Sequence, residues 1–477
     1  MSPTSSPLRA LYCLLFCLAL ASPSQLRAEV EPLHTDGRLL RDARGGNVLL
    51  RGLNLSGDAK VPPFRGIDDV GQLDILPALG VNVVRLVFTW EAFEPERGNY
   101  DESYLAYYTN LVDALGARGV HVIVDIHQDA FSRYATQGCG DGFPAWAISG
   151  RIERDAPDNG ARCVSWGIQM VLDSQTQQLW RNFYANVDGV RDRYLALLER
   201  VAQQLKDKPV VLGYDMLNEP GGDEVDDIGP LYEDAARRIR MHDADAVVFV
   251  SPGALTSAGT RTALPRPTFD NFVYAPHYYD AAVSQLHSWL GTSLADPVRQ
   301  MDEQAAAFNA PLFIGEFGAP AEGERVAAYI DEFYRQLDAG LISAAQWNFT
   351  PHWTPEEKDG WNREDFSIVD DKGQLRATYR VRPYPARVAG DAISFHADKD
   401  RIELEWRHNT ASGETRLFAP LAKTFGGQLT IQTNENLSCT YEGDQRHLRC
   451  TTAQAGLQRV RLVPCTESSA CLRAPLP

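Results

Sequence analysis

The chain has 477 residues, 44% of them hydrophobic and 23% charged, which is a globular composition too long for one ordinary core. One large domain with a smaller companion is expected. A formal net charge of −17 argues against nucleic acid and anionic membrane surfaces as partners.

The first residues read as a secretory signal over residues 1–21. Arg9 supplies a positive start, Leu11–Ala21 is an apolar run too short to span a bilayer, and Ala19-Leu20-Ala21 offers a cleavage site. A short membrane anchor is the competing reading. Cys17 follows Phe16 rather than a small residue, which speaks against lipoprotein attachment. Removing the signal takes Cys13 and Cys17 with it and leaves Cys139, Cys163, Cys439, Cys450, Cys465 and Cys471. An even number in an exported chain suggests disulfides, and the clustering favours Cys139–Cys163, Cys439–Cys450 and Cys465–Cys471. Zinc is the weaker reading, because no CxxC or His/Cys cluster accompanies them.

Strand-like runs then alternate with helical ones. The strands are expected at Val48–Leu55, Val81–Trp90, His121–His127, Val210–Asn218, Ala246–Pro252, Asn271–Tyr279, Pro311–Gly318 and Leu341–Thr350. Amphipathic spacing predicts helices over Tyr104–Arg118, Tyr184–Lys206, Leu231–Met241 and Arg325–Ala339. Eight such units point to a (β/α)₈ barrel spanning residues 30–382. An open doubly wound sheet competes, but no Gly-rich phosphate loop follows the first strand. After about Arg382 the helical pattern stops. Short alternating runs at Arg401–Trp406, Arg416–Pro420, Gln428–Thr433, His447–Thr451 and Leu457–Val463 predict an antiparallel β-sandwich over residues 383–477.

Two of the barrel strands end on a carboxylate. VVLGYDMLNEP delivers Asn218 and Glu219, and PLFIGEFG delivers Glu316. Active sites of such barrels sit at the C-terminal ends of the strands, and paired carboxylates there are what glycoside hydrolysis requires. Other strand ends offer Arg51 and Asn54, Arg85 and Trp90, His127 and Asp129, His277 and Tyr279, and Trp347. An arginine inside an apolar strand must be paired, so Arg85 is expected beside Glu316, holding it ionised as a nucleophile needs. A purely structural ion pair in the barrel floor is the alternative. Tyr279 can donate a hydrogen bond to that carboxylate, and Trp347 can stack on a sugar face. The segment from about Gln128 to Gln178 and the loop Pro351–Asp365 are long enough to wall a cleft. Phe143, Trp146 and Trp166 argue for an ordered first loop, and His352, Trp353 and Trp361 in the second either line an aglycone site or merely cap the barrel; were the aglycone a lipid, Phe143, Trp146, Trp353 and Trp361 are the expected source of its apolar surface.

LRGLN, the second-strand arginine, DIHQD, LNEP, PHYY, IGEFG and QWN together resemble glycoside hydrolase family 5, from about Leu33 to the end of the chain. Within it the sequence looks most like the endoglycoceramidases (endoglycosylceramidases), DIHQD and Ala59-Lys60 being the narrower signals. The resemblance implies Glu219 as acid/base and Glu316 as nucleophile, with Asn218 on the sugar 2-hydroxyl. It further implies Lys60, His127, Asp129 and Trp347 as contacts of the sugar next to the cleaved bond, and Tyr279 as a contact of the nucleophile. The cysteine pair after the third strand and the segment after Trp347 depart from the pattern.

The expected protein is a secreted, extracellular or periplasmic, retaining β-glycosidase acting at the bond between glycan and lipid of a glycosylceramide-type glycolipid. It needs no metal or organic cofactor and no obligate protein partner, and it makes transient contact with lipid micelles or a membrane surface. A β-glucosidase or endoglucanase on lipid-free glycosides is the alternative, and a non-catalytic carbohydrate-binding barrel a remote one.

Overall fold

A computed structural model describes residues 30–157, 163, 166–420, 428–442, 446–465 and 472–473. The expected signal segment and Cys471 lie outside the described residues.

Eight parallel strands form the central sheet: β1 (Arg51–Leu55), β2 (Val83–Thr89), β3 (His121–His127), β4 (Val211–Asp215), β5 (Val247–Val250), β6 (Phe272–Tyr274), β7 (Phe313–Ile314) and β8 (Ser343–Gln346). β8 pairs with β1, and single bridges Tyr274–Leu312 and His277–Glu316 join β6 to β7, so the sheet closes as a barrel. The strands are short because their buried, paired portions are short, and the predicted runs extend into the loops at both ends. Along β2 the pleat turns Val83, Arg85 and Val87 inward, while Val84, Leu86 and Phe88 pack against the helices outside. Phe88 meets Tyr104 and Tyr108 of the helix Glu102–Gly116 edge-on. The inner floor is apolar: Val83, Ile123, Leu212, Val247, Phe249, Val273 and Phe313 fill it. Polar residues sit above that layer, towards the C-terminal mouth.

Two expectations are corrected. The helix expected over Tyr184–Lys206 is two helices, Ser174–Tyr184 and Val190–Leu205, because Asn186, Asp188 and Gly189 between them adopt left-handed backbone conformations. The strand expected from Val48 is divided as well. Asn47–Val48 pairs with Arg387–Val388, and only the part from Arg51 enters the barrel.

The C-terminal region holds two antiparallel sheets. One runs Gly390–Ala397, Ile402–His408, Gly456–Pro464, Gln428–Thr433, Leu472–Arg473. The other contains Tyr384–Val388, Thr415–Phe418, His447–Thr451 and Ser438–Glu442, and is extended by Asn47–Val48, Leu39–Asp42 and Leu33–Asp36. Those N-terminal strands are too short and too mixed in pattern to announce a partner so distant in the chain. Disulfides join Cys139 to Cys163 and Cys439 to Cys450, the latter pair facing across adjacent strands. Cys465 is also disulfide-bonded. No helix among the described residues is long and apolar enough to cross a membrane.

Candidate active site

Arg85 sits in the middle of β2 with no exposed surface, and the site is built around its charge. Its guanidinium donates to Glu316 Oε1 at 2.6 Å, to Asp215 Oδ2 at 2.9 Å, to Asn218 Oδ1 at 2.7 Å and to Asn54 Oδ1 at 3.1 Å. Asp125 Oδ1 lies 2.8 Å from Nη2. Burial disfavours the cation, but Asp125, Asp215 and Glu316 outweigh it and hold the pKa above its ordinary value. The expected pairing with Glu316 is present, above the apolar floor rather than within it. Asp125 and Asp215 were not singled out from the sequence. The only available signal was their inward register beside Arg85.

Glu316 also accepts a 2.9 Å hydrogen bond from Tyr279. Glu219 faces it from the end of β4. His277 Nδ1 stands between them, 3.0 Å from Glu219 Oε1 and 3.6 Å from Glu316 Oε2. Burial raises the Glu219 pKa; the His277 hydrogen bond opposes the shift and the Glu316 charge adds to it. A buried carboxyl whose pKa is raised, beside a carboxylate held by a cation and a phenol, can run acid and nucleophile chemistry together. Gln128 holds the turn by donating to the Asn218 and Glu219 carbonyls, at 2.6 and 2.9 Å.

The glycines flanking Glu316 have steric causes. A Cβ on Gly315 would lie 2.7 Å from His277 Nε2, and one on Gly318 would lie 2.5 Å from the Trp347 carbonyl. GEFG is the sequence that lets the sixth and eighth strand ends close on the carboxylate.

Beside this pair lies a second charged group. Lys60 Nζ donates to Asp129 Oδ2 at 2.6 Å and stands over the rings of Trp361 and Trp347, at 4.0 and 4.4 Å. His127 Nδ1 is 2.7 Å from Asp125 Oδ2, and its ring stacks on Trp347 at 5.5 Å. Burial works against the His127 cation, but Asp125 and Asp129 raise its pKa to about 10. Two triads, His127–Asp129–Asp141 and Glu219–His277–Glu316, each bring ligand atoms within 4.8 Å of one another, a spacing that could hold a metal ion. In each, a protein cation already occupies a carboxylate: Lys60 on Asp129 and Arg85 on Glu316.

The ten expected catalytic and sugar-binding residues, Glu219, Glu316, Lys60, Arg85, His127, Asp129, Asn218, His277, Tyr279 and Trp347, therefore come together at one mouth of the barrel. Others offered by the sequence do not. Arg51 pairs with Asp338 at the opposite end of its strand, and Trp90 packs edge-on against Phe143 and Trp146. The expected aromatic aglycone surface is also corrected. Phe143 is core, stacked between Phe131 and Tyr194. Trp146 donates to the Glu94 carbonyl, and buried Trp353 donates to Asp365 beneath the Arg376 guanidinium. Trp361 is buried on the Lys60 side. Aromatic side chains in an ordered long loop are first consumed in holding that loop together.

Residues 42–352 match the family described as Cellulase (glycosyl hydrolase family 5). The chain belongs to glycosyl hydrolase family 5. Residues 382–462 match the glycoside hydrolase family 5 C-terminal domain, so both regions fit one family and the chain is a glycoside hydrolase. A curated relative, endoglycoceramidase I of Rhodococcus hoagii (strain 103S), is 28% identical over 421 residues, covering 82% of this chain and 80% of the relative. A glucosylceramidase of Rhizopus delemar is 24% identical over 388 residues, covering 66% of this chain and 54% of the relative. The solved endo-glycoceramidase II from Rhodococcus sp. superposes with a TM-score of 0.75 at 23% identity, over 90% of this chain and all of that one. That likeness is one of fold.

Proposed function

We propose that this family 5 hydrolase is a retaining β-glycosidase that cleaves the sugar–lipid bond of glycosylceramide-type glycolipids. The observation that carries the mechanism is the spacing of the carboxylates. An oxygen of Glu219 and one of Glu316 lie within 4.8 Å, close to the roughly 5–5.5 Å of retaining enzymes and short of the water-sized gap of inverting ones. Glu316, held by Arg85 and Tyr279, attacks the anomeric carbon through an oxocarbenium-like transition state and forms the glycosyl–enzyme. Glu219 first gives its proton to the leaving oxygen, then takes one from the attacking water. Asn218 meets the 2-hydroxyl, and Lys60, His127, Asp129 and Trp347 hold the ring.

The lipid aglycone is supported by the names of the relatives and by exposed aliphatic side chains on the segments that follow β3 to β6. Ile168 and Leu172 after β3, Val225 after β4, Leu255 after β5, and Leu286 and Leu290 after β6 are each more than half exposed. They fall on the segments that follow consecutive barrel strands, and the buried aromatic residues do not offer such exposed apolar surface. Such surface marks contact with apolar matter, here a glycolipid in a micelle or bilayer. Export is supported by the disulfides and by the apolar run Leu11–Ala21.

Incubation with glucosylceramide in detergent, followed by proton NMR during the first minutes, tests the reading. Free ceramide and the β-anomer of the sugar are expected. An α-anomer at early times rejects the covalent mechanism. The family description as cellulase favours a lipid-free second reading, and faster cleavage of cellooligosaccharides than of glycosylceramides would select it.

A further inference from the structure

Buried polar atoms without a hydrogen-bond partner gather at one end of the site: Glu364 Oε2, Trp361 Nε1 and Asn362 Oδ1. Folded proteins leave few such atoms, and a group of them in one place asks for a missing partner. They surround Lys60, whose Nζ is 3.8 Å from Glu364 Oε2. Asp129 and Glu364 act electrostatically on Glu219 and Glu316 respectively, so this end adjoins the catalytic pair.

The same end is closed. Trp361 is 1% and Lys60 2% exposed. Trp166 packs on Trp361 with ring centres 4.7 Å apart. Asn362 Nδ2 donates to the Cys139 carbonyl at 2.9 Å, Cys139 is bonded to Cys163, and the Cys163 carbonyl accepts from the Trp166 backbone N–H. The loops after β1, β3 and β8 thus meet over the lysine, and a disulfide fastens one of them.

We propose that this closed wall is a terminal-sugar subsite that restricts the glycan to a single hexose, with Trp361 as the barrier and Glu364 taking a hydroxyl of its non-reducing end. The inference rests on Glu219 and Glu316 being the catalytic pair. Burial and the neighbouring carboxylates raise Glu364 to about 8, so it carries a proton at neutral pH. A protonated carboxyl both gives and accepts hydrogen bonds, which suits a hydroxyl. A second sugar attached beyond the first has to displace Trp361 and break the Asn362–Cys139 contact. The substrate class is then the monohexosyl β-glycoside, and among glycolipids the monohexosylceramide.

The test compares one and two hexoses on two aglycones: 4-nitrophenyl β-glucoside against β-cellobioside and β-lactoside, and glucosylceramide against lactosylceramide in detergent. In the wild type, kcat/KM is expected to favour the single hexose at least 100-fold in both series. Trp361→Ala, and separately Cys139→Ser with Cys163→Ser, should reduce that ratio at least tenfold through a lower KM for the longer glycans. Glu364→Ala should raise KM for the single hexose, and Glu364→Gln should restore it. Equal or faster release of nitrophenol from the cellobioside or lactoside by the wild type overturns the proposal, whatever the variants do. A one-hexose preference on the nitrophenyl series with no cleavage of either ceramide overturns the lipid reading and supports this one.

Discussion

At the scale of single residues, Glu219 and Glu316 are told apart by their neighbours. Glu219 has burial and one histidine, whereas Glu316 has a guanidinium and a phenol. If the assignment holds, Glu219→Ala is rescued by azide on an aryl β-glucoside with a good leaving group, and the product is the β-glycosyl azide from the trapped intermediate. Glu316→Gly should give the α-azide, and exchanged anomers would reverse the roles. The pH profile carries its own sign. As the proposed acid, Glu219 must be protonated at the start; its pKa is raised, so activity should persist above the usual carboxylate range and fall as pH rises through that pKa. His277 lowers the Glu219 pKa, so His277→Gln should move the alkaline limb of kcat/KM to higher pH; a limb moving the other way would contradict the assignment. Both carboxylates and Arg85 were legible in the sequence because each breaks an apolar strand at a strand end or centre. Asp125 and Asp215 are marked only by an inward register in HVIVDIH and VLGYD, which does not say that Arg85 is their partner. Asp141 and Glu364 depend on two loops meeting, which no local pattern records.

Among the elements, the eight barrel strands were readable from apolar runs bounded by turns. Their ends were overextended, because loop residues near the mouth are as buried as the strands themselves. Phe143 and Trp353 show the reverse failure: an aromatic residue in a loop carries the same letter whether it lines a groove or fastens the loop to the barrel. The tight packing of β7 against its neighbours makes a specific demand. Gly315→Ala puts a methyl carbon against His277 Nε2 and should push the imidazole off Glu219. We expect kcat/KM to fall at least tenfold while far-UV circular dichroism is unchanged. Unaltered activity with the methyl group in place would mean that His277 does not position the acid.

For the molecule as a whole, buried charge and exposed aliphatic side chains fall on different sets of loops after the barrel strands. The loops after β1, β3 and β8 enclose Lys60, and those after β3 to β6 carry the exposed aliphatic side chains. Burying a leucine side chain contributes about 1.5–3 kcal/mol, so replacing both Leu286 and Leu290 by Gln should cost at least tenfold in kcat/KM on micellar glucosylceramide relative to an aryl glucoside. An unchanged ratio would show that these side chains do not meet the lipid. The sheet that Asn47–Val48 shares with Arg387–Val388 has a consequence of another kind. The two partners leave the ribosome roughly 340 residues apart, which at about 5–20 residues per second is tens of seconds. Throughout that interval the first strands of the nascent chain carry unpaired backbone edges while the barrel behind them is still being made. Whatever protects them until residue 388 emerges, a chaperone or transient pairing elsewhere, sets how much of each synthesised chain reaches the native state.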